Sequence, residues 1–117
     1  MNGRSAQEWL SEAREYALEA QMLTADRSQP SFDRDRQCQF AVCFCLVIVG
    51  EALNRVPKDV QALAPEIAWT PVIALRNRLV HSYWLIDTET ILRIAQTDTA
   101  ALASSLERLI NKIGQWH

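Results

Sequence analysis

The stretch Leu75-Arg76-Asn77-Arg78-Leu79-Val80-His81-Ser82-Tyr83-Trp84 gathers two guanidiniums, an amide, an imidazole and a phenol. Cleaving a phosphodiester without a metal needs two things: a group that exchanges protons near neutral pH, and a fixed charge for the phosphorus as it reacts. Imidazole suits the first, because its ordinary pKa lies near 6.5. Guanidinium suits the second, with its planar fork of donors. A phenol can orient or hydrogen-bond the phosphate, and RNA carries its own 2′-hydroxyl nucleophile. Arg76, His81 and Tyr83 have these properties. The same residue types also occur near helix ends as capped, half-buried side chains or solvated charges, so residue types alone leave both readings open.

The pattern around this stretch is helical. Arg76 and Tyr83, seven apart, share a face, and Asn77 and His81, four apart, are neighbours. His81 falls about 140° round from Arg76 on an ideal helix. The groups converge only if the helix loosens near His81 or a second copy supplies the opposite wall. Thr70 is the expected N-cap of this helix, with Pro71 at its first position and an end near Tyr83.

The remaining elements are also helices. Ser5 with Glu8 fits a capping box, and Trp9, Ala13, Tyr16, Ala20 and Leu23 make one apolar stripe that fades near Asp26. Ser28 to Ser31 reads as a loop, with Ser31 capping a second helix from about Phe32 to Arg55. The middle of that helix, Phe40 to Val49, is apolar on all sides, which implies burial all round and contact with another subunit. A short helix follows Val56-Pro57 and ends before Pro65. Another is capped by Asp87 or Thr88, and the last by Thr97 or Asp98, with Gly114 at its C-terminal end. The fold class is all-α, a four- to five-helix up-and-down bundle over a single domain, residues 1–117.

Composition narrows the function classes. A chain of 117 residues with 49% hydrophobic and 22% charged residues is long enough for its own core. A net charge of −2 excludes a strongly basic nucleic-acid coat but not a local basic patch. Cys38, Cys43 and Cys45 are odd in number and crowded into one apolar run, which argues against a secreted disulfide framework. Residues 1–14 lack the apolar core of a signal peptide, and the run Phe40–Gly50 is about half a membrane span. The expectation is a cytoplasmic, reduced domain with no membrane partner.

Arg76-x-x-x-x-His81-x-Tyr83 resembles the Arg-x4–6-His-x-Tyr signature of HepT-type toxins in the HEPN superfamily. The flanking Gly50-Glu51-Ala52, Pro65-Glu66-Ile67-Ala68-Trp69 and Tyr83-Trp84 are similar to that family's pattern, in its order, over about residues 5 to 113. The resemblance implies a helical homodimer whose two motifs meet in a cleft at the subunit interface. It implies a metal-independent endoribonuclease, the toxin of a type II toxin–antitoxin pair. It also implies a partner, a nucleotidyltransferase-fold antitoxin called MNT, which transfers AMP onto the motif tyrosine. By position, Arg76 and His81 would be the catalytic pair and Tyr83 the AMP acceptor. Asn77 could orient His81. Glu51 has two roles open to it, holding an arginine in place or helping to build the cleft. Arg76 and Arg78, doubled by symmetry, would bind the RNA. An alternative is a non-catalytic helical partner of a nucleotidyltransferase, which would be harmless when made alone.

Other features take the simpler reading. No metal or cofactor is expected. Cys43-x-Cys45 lacks zinc-ligand spacing, so the cysteines read as small buried side chains. Asp33, Arg34, Asp35 and Arg36 read as a solvated helix end. Trp9, Trp69, Trp84 and Trp116 could stack bases, but only Trp84 adjoins the motif, and packing under the cleft suits it as well. His117 is expected to be disordered.

Overall fold

The computed structural model describes residues 3–114; Trp116 and His117 lie outside them. Helix α1 (Ala6–Thr24) opens on the expected capping box. The Ser5 hydroxyl accepts the Glu8 amide and the Glu8 carboxylate accepts the Ser5 amide, satisfying donors that no helical turn can reach. The inner face of α1 is small: Ala13, Ala17 and Ala20 are fully buried beside Leu10, so a neighbouring helix can approach closely.

The next segment departs from the expected single helix Phe32–Arg55. Ser28, not Ser31, caps a short helix α2 (Gln29–Asp33), and the two serines form a reciprocal box. Asp35 then caps α3 (Arg36–Asn54) by accepting the Cys38 amide at 3.0 Å. The break falls inside the charged run because an aspartate that bonds nearby amides ends a helix more readily than it continues one. Phe32, fully buried, anchors the turn.

By length and composition alone α3 could cross a membrane. Here it is the central rod, with α1 packed on one flank and α5 on another. Within one chain it is not buried all round. Val42, Cys45, Leu46, Val49, Ala52 and Leu53 face inward, whereas Phe40 and Phe44 are 61% and 59% exposed.

After the short α4 (Lys58–Gln61), α5 (Trp69–His81) starts earlier than expected. Ala68, not Thr70, holds the N-cap position, and no side chain caps the helix. The Trp69 indole N–H donates to the Ala64 carbonyl at 3.0 Å from a buried position, and this fixes where the helix begins. Pro71 sits within the first turn, where its missing N–H costs nothing. The helix stops at His81 rather than Tyr83. Ser82 leaves the helical region (φ −148°, ψ 41°), and Tyr83–Leu85 form a single 3-10 turn.

Asp87 caps α6 (Thr88–Arg93) as expected, accepting the Thr90 amide at 2.7 Å. No new cap appears at Thr97 or Asp98. The backbone runs on through a π turn, Ile94–Asp98, into α7 (Thr99–Gly114). Two polar side chains hold this turn. Gln96 reaches α1 and donates to the Thr24 and Arg27 carbonyls, both at 2.8 Å. Thr99 donates back to the Ala95 carbonyl at 2.6 Å instead of capping.

With α6–α7 counted as one rod, the long helices lie in the order α7, α1, α3, α5, an all-α up-and-down bundle of 48 × 27 × 25 Å. One core cluster fills the end around Leu10, Leu53, Trp69, Leu106 and Leu109; the other surrounds Phe32, Val42, Leu46, Ile91 and Leu92. Helix α5 is the outer rod, leaning on α3, with a groove between it and α6–α7.

Candidate active site

The site is built where α5 meets α3. A Cβ on Gly50 would fall 2.2 Å from the Cβ of Arg76, so only glycine lets the helices approach this closely at this level. That contact sets the register of the seam. The next residue, Glu51, then stands beside Arg76. Its Oε1 lies 3.1 Å from Nη2 of Arg76, and its Oε2 accepts the Arg55 Nε–H at 2.8 Å. Arg76 also donates from Nη1 to the Asn77 side-chain oxygen at 2.8 Å. Its side chain is 28% exposed, and its Nε is buried with no hydrogen-bond partner among the described residues. Nη1 keeps a hydrogen beyond its bond to Asn77, and Nη2 meets Glu51 as an ion pair, so the terminal nitrogens retain donors for a ligand.

Of the two roles open to Glu51, the contact present is with arginine, since its carboxylate meets both Arg76 and Arg55. The Asn77 side-chain oxygen is engaged by Arg76. Arg55 was not singled out by the sequence reading. The signal was available, since Glu51 and Arg55 are four apart on one helix face.

His81 ends α5 and is exposed. Beyond Ser82, Tyr83 and Trp84 are 69% and 67% exposed and pack edge to face, with centroids 5.4 Å apart and planes at 84°. Trp84 therefore does not pack under a cleft within this chain. The helix loosens only after His81, which redirects Tyr83 but leaves the imidazole about 140° from Arg76 around the axis. Within one chain, Arg76, Asn77 and Glu51 are brought together, while His81 and Tyr83 are presented separately to solvent.

Arg78 lies on the other side of α5. It lines the groove toward α6–α7, of about 660 Å³, with Leu46, Pro71, Leu75, Arg93 and Leu102 among its walls. It does not join Arg76. The charged run before α3 serves folding. Asp33 accepts from Thr88 and Gln29, and these bonds hold its carboxyl below the usual carboxylate range. The Cys38 amide, then Arg27, does the same for Asp35. Arg36 stacks over the Phe40 ring at 5.3 Å. Cys38 and Cys45 are buried and Cys43 is half-buried; all three are free thiols. Burial pushes the Cys45 thiol up to about 11, so it stays protonated and acts as packing. Among the described residues, no three His, Cys, Asp or Glu side chains are grouped to hold a metal ion.

An all-α bundle that carries Arg-x4-His-x-Tyr at the end of one rod defines a class, the HEPN-type helical domain. A family model described as "Ribonuclease HepT-like" matches residues 12–109, and the chain belongs to that family. It is 30% identical to a "Probable ribonuclease HepT" of Thermococcus cleftensis over 106 residues, 91% of this chain and 96% of the relative. Two proteins of Methanocaldococcus jannaschii whose names propose an RNase are also similar. MJ1216 is 26% identical over 97% of this chain and 93% of its own length, and MJ0125 is 26% identical over 78% of each. No solved structure matches the chain.

Proposed function

We propose that the protein is a metal-independent endoribonuclease, the toxin of a type II toxin–antitoxin pair, acting in the cytoplasm. The observation that carries this reading is the Glu51-held Arg76, with donors left on its terminal nitrogens, on the same helix as an exposed imidazole. In this reading Arg76 binds the scissile phosphate and stabilises its developing charge. His81 serves as general base and acid. The 2′-hydroxyl loses its proton to imidazole and attacks the adjacent phosphorus. The P–O bond to the next nucleotide breaks, and its 5′-oxygen takes up a proton. The products are a 2′,3′-cyclic phosphate and a 5′-hydroxyl.

A homodimer completes the site. Arg76 and His81 diverge around α5, so a cleft made by one copy cannot surround a phosphate with both. Phe40, Phe44, Val47 and Glu51 recur at helical spacing on α3, and the two phenylalanines are largely exposed. This stripe runs into the Glu51–Arg76 seam, and Val80 of α5 is exposed nearby in sequence to His81. An exposed apolar stripe of this kind favours a partner surface, and a twofold pairing would bring two seams to one cleft.

The exposed Tyr83 hydroxyl suits modification by AMP from an MNT nucleotidyltransferase antitoxin. Each AMP adds bulk and about one negative charge, which would repel an RNA backbone. The test is cleavage of single-stranded RNA in excess EDTA by the wild type and by His81→Ala. The expected result is cyclic-phosphate ends from the wild type only, with the variant keeping its helical signal and oligomeric state. Undiminished cleavage by His81→Ala, or cleavage lost on chelation, overturns the mechanism. Co-production with the nucleotidyltransferase should add mass in AMP multiples that map to Tyr83.

A further inference from the structure

Arg55 is the unassigned member of the seam. Its Nε donates to Glu51 Oε2 at 2.8 Å while the other oxygen of the same carboxylate takes Arg76. The two guanidinium groups are therefore immediate neighbours, joined through one anion. Two cations and one carboxylate leave the cluster with a net positive charge, in a protein whose overall charge is −2.

The two arginines are used differently. Arg76 is held deep in the seam. Arg55 has a side chain 59% exposed, and its guanidinium lies 5.8 Å from the centroid of the Trp9 ring. The carboxylate and the ring fix its base and flank. Its terminal nitrogens, with four N–H donors, make no hydrogen bond among the described residues. A solvated i,i+4 ion pair would need no aromatic surface and would not share its carboxylate with the site. Arg4 also lies over Trp9, at 4.6 Å, but it is paired with Glu12 and so is not equivalent.

We infer that Arg55 is a second phosphate-binding residue, gripping the phosphodiester next to the one at Arg76 on the same RNA strand. This rests on the ribonuclease reading above. Arg76 meets the reacting phosphate, and Arg55 sets how the strand enters. Its contribution is to binding rather than to the chemical step.

The test is steady-state cleavage of a single-stranded RNA by wild type, Arg55→Ala and Arg55→Lys across a series of KCl concentrations. Arg55→Ala should raise KM roughly tenfold and leave kcat within about twofold of wild type. The slope of log KM against log salt should flatten by about 0.7, the release expected for one phosphate contact on a single strand. Arg55→Lys should restore part of the slope, because it keeps the charge. Unchanged KM and slope in an active Arg55→Ala enzyme overturns the inference alone. So does a fall in kcat at constant KM, which would make Arg55 a support for Glu51. A wild type that cleaves no RNA overturns the ribonuclease reading, and this inference with it.

Discussion

Two arginines, two residues apart on α5, meet opposite surroundings. Arg76 is pressed against α3, held by Glu51 and Asn77, and only 28% exposed. Arg78 is exposed and looks onto the open groove beside α6–α7. Their residue type and helix are the same, so neither accounts for the contrast. What differs is the wall opposite each. One wall carries a glycine followed by a glutamate; the other is an apolar trough. An arginine fixed before substrate arrives has already paid its ordering cost, which is what charge stabilisation in a transition state requires. A mobile one gives attraction at longer range and little more.

The hardest way to break this contrast is Gly50→Ala. The new methyl would collide with a backbone-rooted atom, and the Val72 carbonyl lies only 3.1 Å from the same position. The helices must separate, so unfolding in urea should show a loss of about 3 kcal/mol, and RNA cleavage should disappear. Glu51→Gln separates positioning from stability. The shape is kept but the anion is lost, so kcat should fall by roughly 100-fold, while stability should change by less than about 1 kcal/mol because the pair is partly solvated. Equal activity of Glu51→Gln and wild type would mean that the hold on Arg76 has no catalytic value.

The smallest effect is a pH dependence at the far end of α3, where Asp35 is another held charge. The Cys38 amide and Arg27 lower its carboxyl pKa in the folded state. The stabilisation is therefore present above the ordinary carboxylate range and is lost as pH falls through the folded value. The Tm difference between wild type and Asp35→Ala, followed by circular dichroism, should narrow below about pH 4.

Local rules were legible in the sequence where a single turn carried the signal. The Ser5–Glu8 box and the Asp87 cap stand where their residue types put them. The Arg76, His81, Tyr83 spacing was visible for the same reason, as was the helical class. Features that depend on distant partners were not. Nothing local shows that Glu51 will meet Arg76 twenty-five residues on, because that depends on Gly50 fitting under α5. The start of α5 was hidden for another reason, because Trp69 bonds back over five residues to Ala64 and this overrides a good cap at Thr70. The break at Ser82 has no glycine or proline to announce it. The exposed phenylalanines of α3 look like core residues until the neighbours on each flank are known.

The π turn at Ile94–Asp98 has a consequence for how this chain tolerates change in length. A π turn holds one residue more than an α turn. Removing one residue there would restore ordinary winding, and because both kinds of turn make one revolution, the helix downstream would nearly keep its phase. Leu106 and Leu109 would stay on the core, and the loss would fall on the turn itself, where Gln96 holds the Thr24 and Arg27 carbonyls. The turn absorbs one surplus residue where it sits, so a single deletion here should be tolerated better than one inside α1 or α3, where everything beyond it would turn by about 100°.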